Sequence, residues 1–151
     1  MKVCYSGAFE VLHRGHKHLI DRAIEIAGKE GTVYIGITKD KLSKKKKIKR
    51  PLEDRIKSIE KYLKSKNYEK HTVIIPISNR YGPAVLGDYD AIIVSPETID
   101  NAKDINIKRV KNGKKPLRIV KVPYILAQDK KPISSTRIIN KEIDEEGKIA
   151  I

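Results

Sequence analysis

The chain alternates between short apolar runs and longer segments in which apolar residues recur at helical spacing. This alternation is the feature that most constrains how the chain can fold. Short β-branched or continuous apolar runs are typical of buried strands, and they are too short to be amphipathic helices. Five such runs occur, at Val3–Tyr5, Thr32–Ile37, Thr72–Ile77, Ala91–Val94 and Leu117–Val122. The sequence therefore predicts five strands.

Between these runs, apolar residues recur at the three- and four-residue spacing of helices. The helical patterns cover Leu19–Ala27, Leu52–Leu63 behind Pro51, Pro96–Asn112 ahead of Gly113, and a last helix that begins near Ser134. Strands that alternate with helices favour right-handed βαβ units and a parallel sheet covered on both faces. We therefore expect a single Rossmann-like, doubly wound α/β domain over residues 1–151, with a five-stranded parallel sheet.

The length and apolar content of the chain agree with one folded domain. A chain of 151 residues suits a single core, and 39% hydrophobic residues are enough to build one. No apolar run approaches the roughly 18 residues of a membrane-spanning helix, so no membrane association is expected. The single Cys4 cannot form an internal disulfide, and with the four histidines it makes no zinc-binding spacing. A cytoplasmic location follows by default.

The chain is strongly basic, with 33 Lys and Arg against 19 Asp and Glu and a net charge of +14. Such a charge is typical of proteins that bind nucleic acid, anionic membranes or small phosphorylated ligands. The chain has no Trp and only 5% aromatic residues, so the stacking surface of a single-strand binder is not evident. We expect no nucleic-acid partner and interpret the charge as a Lys-rich solvated surface. A nucleic-acid-binding module stays the alternative.

The loop after the first predicted strand, Ser6–His16, carries the first candidate site. In a doubly wound sheet, ligands bind beyond the carboxyl ends of the strands, where helix N-termini favour phosphate. His13 and His16 are three residues apart at a helix start and so share a face. Gly7 lets the backbone turn sharply, and Gly15 lets a ligand approach closely. Two imidazoles there predict an anion or metal site, whereas the plainer interpretation is that they cap or pack.

A second candidate site lies where the last predicted helix begins. Ser134, Ser135 and Thr136 place three hydroxyls at a helix start, and Arg137 adds a bidentate cation. This combination is suited to a triphosphate. Ordinary capping of the helix explains one hydroxyl but leaves the other two and the arginine without a role, and capping and phosphate binding can coexist.

These two motifs resemble the nucleotidyltransferase superfamily related to class I aminoacyl-tRNA synthetases. They read His13-x-Gly15-His16 near the start and Ile-Ser-Ser-Thr-Arg-Ile at 133–138. Within the superfamily, the chain is most similar to the archaeal phosphopantetheine adenylyltransferases. Supporting stretches are Asn79–Ala84, Val94–Thr98, Asn106 with Arg109, Pro116–Pro123 and Glu142–Gly147. The resemblance covers nearly the whole chain.

The resemblance implies a nucleotidyltransferase of coenzyme A biosynthesis that transfers AMP from ATP to 4'-phosphopantetheine, giving dephospho-coenzyme A and pyrophosphate. It places His16 on the α-phosphate and His13 on the nucleotide phosphates. The β- and γ-phosphates are assigned to Ser134, Ser135, Thr136 and Arg137. The remaining expected nucleotide contacts are Gly7, Phe9, Gly15, Asn106 and Arg109. Mg²⁺ is expected to arrive with ATP, held by phosphate and water oxygens rather than by a protein cage.

Two features depart from the family pattern or leave it open. The segment Ser6–Glu10 reads Ser-Gly-Ala-Phe-Glu where the family commonly has Gly-Gly-Thr-Phe-Asp, so the hydroxyl that touches phosphate is missing at Ala8. The resemblance also implies a lysine that binds the acceptor phosphate, in the predicted solvated loop at 39–49. The candidates are Lys39, Lys41 and Lys44 to Lys47, and distance from the second strand favours Lys44. A cytidylyltransferase or FAD synthetase of the same fold stays the alternative function. The sequence leaves the oligomeric state open.

Overall fold

The computed structural model describes residues 1–39 and 50–150, which fold around one five-stranded, all-parallel sheet. The strands are β1 (Lys2–Gly7), β2 (Thr32–Thr38), β3 (Thr72–Ile77), β4 (Ala91–Val94) and β5 (Arg118–Lys121). Their order across the sheet is β3-β2-β1-β4-β5, and every pairing is parallel. All five predicted strands are therefore confirmed, with ends within two residues of the predicted ones.

The helices also follow the apolar stripes. They are α1 (Arg14–Ala27), α2 (Leu52–Ser65), α3 (Ile99–Lys111) and α4 (Ser135–Ile139), with short 3₁₀ turns at Glu69–His71 and Gly82–Ala84. The third helix begins later than the pattern from Pro96 predicts. Residues 95–98 form a turn first, in which the Thr98 Oγ1 accepts from the Ser95 N–H at 3.1 Å. The predicted loop at 39–49 lies outside the described residues except for Lys39.

The two faces of the sheet are covered by different helices. On one face, Val3 and Tyr5 of β1 pack in a core cluster that includes Ile20 of α1 and Ile59 of α2. On the other face, Cys4 packs in a cluster with residues of β4 and α3. Successive side chains of a strand point to opposite faces, so the sheet is buried on both. The expected doubly wound α/β fold is confirmed, whereas its extent over the whole of 1–151 stays a prediction.

The strand order determines where a ligand can bind. The chain runs outward from β1 through β2 to β3, crosses back to β4 on the other side of β1, and then runs outward to β5. The connections from β1 and from β4 therefore diverge at the carboxyl edge and leave a crevice between them. Both sequence motifs lie at this edge, since α1 follows β1 directly and Ser135 contacts Val11 of the loop between them. Within 1–39 and 50–150, no helix combines the length and apolarity that a membrane crossing requires.

Candidate active site

The loop that joins β1 to α1 folds back tightly on the end of its strand. Phe9 has a φ of 51°, a left-handed conformation that is uncommon for a bulky residue. Its side chain is 1% exposed, and its ring meets Tyr5 edge-on at 5.4 Å. A Cβ placed on Gly7 would lie 3.4 Å from this ring. Phe9 is thus an apolar support within the loop, and its ring contacts that of His16.

The two histidines form a reciprocal cap on α1. His13 is the N-cap residue, and its Nδ1 accepts from the Gly15 N–H at 3.0 Å and the His16 N–H at 3.4 Å. In return, the His16 Nδ1 accepts from the His13 N–H at 3.3 Å. Because each ring accepts at Nδ1, the hydrogen-bond pattern assigns the proton of each neutral ring to Nε2. Capping therefore fixes both imidazoles as Nε2–H donors, and the capping and functional interpretations coexist.

The packing of these rings keeps both of them neutral. The two imidazoles stack with centroids 3.8 Å apart and planes 19° apart, and the His16 ring lies 4.9 Å from that of Phe9. Burial, reinforced by the positive charge of Lys17, lowers the pKa of His13 to about 4. Burial and then the neighbouring His13 lower the pKa of His16 well below its usual value, and the Val11 carbonyl opposes this shift. At neutral pH the pair offers hydrogen bonds and no positive charge.

Gly15 makes room for a neighbouring side chain, whereas the close approach of a ligand expected at this position stays a prediction. A Cβ at this position would lie 2.8 Å from Cε1 and 3.0 Å from Nδ1 of the His13 ring. The missing side chain therefore makes room for the capping imidazole. The residues of the first motif therefore depend on one another: Gly15 leaves space for the His13 ring, and the His13 ring stacks on that of His16.

The second motif lies against the first. The Ser134 hydroxyl caps α4 by accepting from the Arg137 N–H at 3.2 Å. The Ser135 Oγ donates to the Val11 carbonyl at 3.2 Å and is 3.3 Å from the Val11 N–H, which donates to it. This contact joins residues that are 124 positions apart in the chain. Thr136 is exposed in the next position. The structure thus brings both predicted phosphate loops together at the carboxyl edge of β1.

Arg137 is held by carboxylates. Its Nη2 pairs with Asp129, its Nε donates to Glu142 at 2.9 Å, and its Nη1 donates to the Pro132 carbonyl at 3.0 Å. The hydrogen bond from Arg137 lowers the pKa of the Asp129 carboxyl. A guanidinium has five N–H groups, so these three contacts fix its plane and leave further donors.

Asn106 and Arg109 are not brought together with the histidine pair. The Asn106 side chain bridges the N–H and carbonyl of Leu117 at 2.7 and 2.9 Å, just ahead of β5. Arg109 is 3% exposed, and its guanidinium donates to the carbonyls of Ala84, Gly87 and Lys115 at 2.7 to 2.8 Å. These contacts surround the amino ends of β4 and β5, opposite the site. The structure therefore gives both residues a task in holding loops, in place of the expected contact with nucleotide.

Lys44, the residue predicted to bind the acceptor phosphate, lies outside the described residues. Lys39, one of its competitors, is exposed at the carboxyl end of β2, where its N–H donates to the Ile77 carbonyl at 2.9 Å. The assignment to Lys44 stays a prediction.

Arg55 of α2 is a residue that sequence reasoning missed. It is 1% exposed, and its guanidinium reaches the β1–α1 loop and the end of β2. The signal was present in the sequence, because Arg55 stands four residues before Ile59 on the apolar stripe of the helix. A charged residue at a core-facing position is buried only when it is well hydrogen-bonded.

The structure also gives a role to Glu10, where the family commonly has Asp. The Glu10 carboxylate accepts from the Arg50 N–H at 2.8 Å, and the Arg50 guanidinium donates back to the Glu10 carbonyl at 3.0 Å. This reciprocal pair holds the start of α2 against the loop after β1.

An apolar recess opens on the α3 face of the sheet. Its lining includes Ser6 of β1, Gly36 of β2, Tyr81 and Pro83 after β3, and Ile105 of α3. The Tyr81 hydroxyl donates a hydrogen bond to the carboxylate of Asp104, which also belongs to α3. Within 1–39 and 50–150, no group of three or more His, Cys, Asp or Glu side chains is placed to hold a metal ion.

Comparisons with known proteins agree with this geometry. The sequence model of the cytidylyltransferase-like family matches residues 4–141. Phosphopantetheine adenylyltransferase from Methanosarcina mazei is 44% identical over 149 residues, which are 98% of this chain and 96% of that protein.

Solved structures of similar proteins show the same fold. A protein of unknown function from Archaeoglobus fulgidus superposes with a TM-score of 0.73 at 35% identity, over 89% of this chain and 100% of that one. A putative nicotinate-nucleotide adenylyltransferase from Vibrio parahaemolyticus has a TM-score of 0.57 at 14% identity, over 96% of this chain and 88% of that one. The second likeness bears on the fold alone.

Proposed function

The chain belongs to the cytidylyltransferase-like family of nucleotidyltransferases, and from its similarity to a relative of known activity we propose that it transfers AMP from ATP to 4'-phosphopantetheine. The products are dephospho-coenzyme A and pyrophosphate, which makes the reaction a step of coenzyme A biosynthesis. The observation that carries the proposal is full-length similarity to a relative named phosphopantetheine adenylyltransferase, together with the paired phosphate loops. The resemblance drawn from the two motifs is thereby confirmed.

The reaction needs alignment and stabilisation of charge. A phosphate oxygen of 4'-phosphopantetheine attacks the α-phosphorus of ATP, and the bond from that phosphorus to the bridging oxygen of pyrophosphate breaks. The chemistry requires no covalent enzyme intermediate, so the residues act by orienting the groups and by stabilising charge that develops on the α-phosphate.

The neutral histidines meet this requirement. In the proposal, the Nε2–H of His16 donates to an α-phosphate oxygen, while His13 donates to the nucleotide phosphates. Without ATP, the hydrogen bond of His16 goes to the Val11 carbonyl. When ATP binds, the α-phosphate oxygen takes the place of that acceptor, and the Val11 carbonyl keeps its hydrogen bond from the Ser135 hydroxyl. A donor already fixed by its own cap costs little reorganisation when negative charge builds up.

The second loop is proposed to hold the leaving pyrophosphate. Ser134 and Ser135 shape the start of α4, and Thr136 presents an exposed hydroxyl beside them. Arg137 directs its remaining N–H groups to the β- and γ-phosphates while Asp129 and Glu142 hold its plane. Lys44 is proposed to bind the acceptor phosphate.

Mg²⁺ is proposed to enter bound to ATP. This ion prefers oxygen ligands and keeps several waters, so the phosphates supply most of its coordination. When bound, it neutralises part of the negative charge on the phosphates. On the acceptor side, the apolar lining around Tyr81 is proposed to contact the uncharged arm of the acceptor, since apolar walls suit such a chain. We also propose a cytoplasmic location, where ATP is available.

Pyrophosphate release is the direct test of the function. ATP is supplied with 4'-phosphopantetheine, without an acceptor, or with flavin mononucleotide, and CTP with a phosphorylated alcohol tests the cytidylyl alternative. Release that requires ATP and 4'-phosphopantetheine together is expected. Release with only one of the other pairs would assign the chain to a different branch of the family.

The +14 charge is proposed to serve these polyanionic substrates and a solvated surface, with no nucleic-acid partner. Binding of generic DNA and RNA at near-physiological salt is expected to be no tighter than roughly 10⁻⁴ to 10⁻⁶ M. Tight binding to nucleic acid that ATP displaces would contradict this part of the proposal.

A further inference from the structure

Arg55 joins three segments at the carboxyl edge of the sheet. Among the described residues, its Nη1 donates to the Ala8 carbonyl at 2.8 Å and the Thr38 carbonyl at 2.7 Å. Its Nη2 donates to the Lys39 carbonyl and its Nε to the Arg50 carbonyl, each at 3.0 Å. The guanidinium therefore ties the β1–α1 loop to the end of β2 and to the start of α2.

The contact with Ala8 falls at a special point of the loop. The Ala8 carbonyl belongs to the peptide unit that precedes the N–Cα bond of Phe9, about which the φ of 51° is measured. For a bulky residue, that conformation costs on the order of 1–3 kcal/mol and persists only where the surroundings determine it. A hydrogen bond from a buried guanidinium fixes the plane of that peptide unit.

The loop in turn supports the candidate catalytic ring. Phe9 is buried between Tyr5 and His16, with its ring centroid 4.9 Å from that of His16. A shift of the Ala8–Phe9 peptide would therefore move the apolar support of His16, while the cap from His13 would stay in place.

We propose that Arg55 is a positioning residue for the reaction: by holding the Ala8 carbonyl, it keeps Phe9 in its left-handed conformation and so sets the position of the His16 ring. The inference rests on the proposed function for its kinetic consequence, but the geometric claim is separate. Lys cannot replace Arg here, because a single ammonium lacks the planar fork that reaches several carbonyls at once.

The main test compares Arg55→Lys with a control on the same helix. Tyr62→Phe is the control, because it removes the 2.6 Å hydrogen bond from α2 to Asp21 without touching the loop. Both variants are assayed below their melting temperatures. For Arg55→Lys, we expect kcat to fall about 10- to 100-fold with both KM values within about threefold, as displaced catalytic groups cause. Tyr62→Phe is expected to keep the wild-type kcat.

Two further readouts separate positioning from general loss of stability. The Cε1–H resonance of His16 is expected to move in Arg55→Lys towards its position in Phe9→Leu, and to stay unchanged in Tyr62→Phe. In a double-mutant cycle, the effects of Arg55→Lys and Phe9→Leu on kcat are expected to be less than additive, because both act on the same ring.

The possible outcomes are distinct. If wild-type protein releases no pyrophosphate, the proposed function fails, while the resonance of His16 still tests the geometry. A wild-type kcat in Arg55→Lys, an unmoved His16 resonance, or additive effects in the cycle would each overturn the inference. If Arg55→Lys does not fold, Phe9→Leu decides alone, and an unchanged kcat there would refute the link through Phe9.

Discussion

Replacing His16 by Ala tests the candidate site most directly. The change removes the proposed Nε2–H donor to the α-phosphate, together with one half of the reciprocal cap, the 3.3 Å hydrogen bond from the His13 N–H. It also removes ring contacts with His13 and Phe9. The consequences for catalysis and for stability differ in size, which makes the experiment informative.

The expected catalytic loss follows from the role of the donor. Removing one preorganised donor to developing negative charge typically lowers kcat by about 10² to 10³, or about 2.7–4 kcal/mol of activation free energy. The expected loss of stability is about 2 kcal/mol from the cap and the ring contacts together, and the better helix propensity of Ala offsets part of it. The protein should therefore stay folded while turnover falls steeply.

The assay is pyrophosphate release at saturating ATP and 4'-phosphopantetheine, with thermal unfolding measured on the same samples. His18→Ala is the matched control, because His18 is also on α1 but is exposed. We expect His18→Ala to leave kcat unchanged. Turnover of His16→Ala within a factor of three of wild type would refute the assignment of His16 to the α-phosphate.

Three other predictions concern the remaining charged and titratable groups. Arg137→Ala is expected to raise the KM for ATP more than the KM for 4'-phosphopantetheine, and Lys44→Ala is expected to do the reverse. Steady-state kinetics measure both values, and equal effects on the two substrates would contradict the assignment of Arg137 to ATP and Lys44 to the acceptor. Arg109→Lys is expected to lower the melting temperature and to leave the KM for ATP unchanged, because the Arg109 guanidinium holds backbone carbonyls far from the site. A selective rise in the KM for ATP would instead support the predicted contact between Arg109 and the nucleotide. Burial lowers the pKa of His13 to about 4, and that of His16 falls in the same direction, so between about pH 6.5 and pH 4 the unfolded chain binds more protons. The free energy of unfolding should therefore decrease as pH falls through that window. Urea titrations at several pH values measure it, and the absence of such a decrease would contradict the conclusion that His13 and His16 are neutral in the folded protein.

Much of the fold could be predicted because local pattern and tertiary environment agree in this chain. The run Ala91–Val94 is apolar without interruption because β4 is buried on both faces, and its bounds match the strand. The predicted cap at Ser134 is also found, because capping depends on local hydrogen bonds. Local signals of this kind need no knowledge of distant residues.

The roles of single side chains were harder to predict. Asn106 and Arg109 stand on the same helix that follows β4, but the sequence does not show which end of the helix lies at the site. Their orientation towards the amino ends of β4 and β5 follows from the packing of α3 on the sheet. Likewise, the reason for Gly15 depends on a ring two residues away, whose position only the folded loop determines.

The hydrogen bonds between Val11 and Ser135 have a consequence for the order of events during synthesis. The sheet is complete in sequence once β5 ends at Lys121, whereas Ser135 and its loop are made later. A nascent chain that ends between them carries all five strand segments but lacks half of the phosphate site. Catalytic competence should therefore appear only once the segment around Ser135 has been made and has docked on Val11, and contacts of such long sequence separation form slowly. The onset of activity would then report the docking of the segment around Ser135 on the β1–α1 loop.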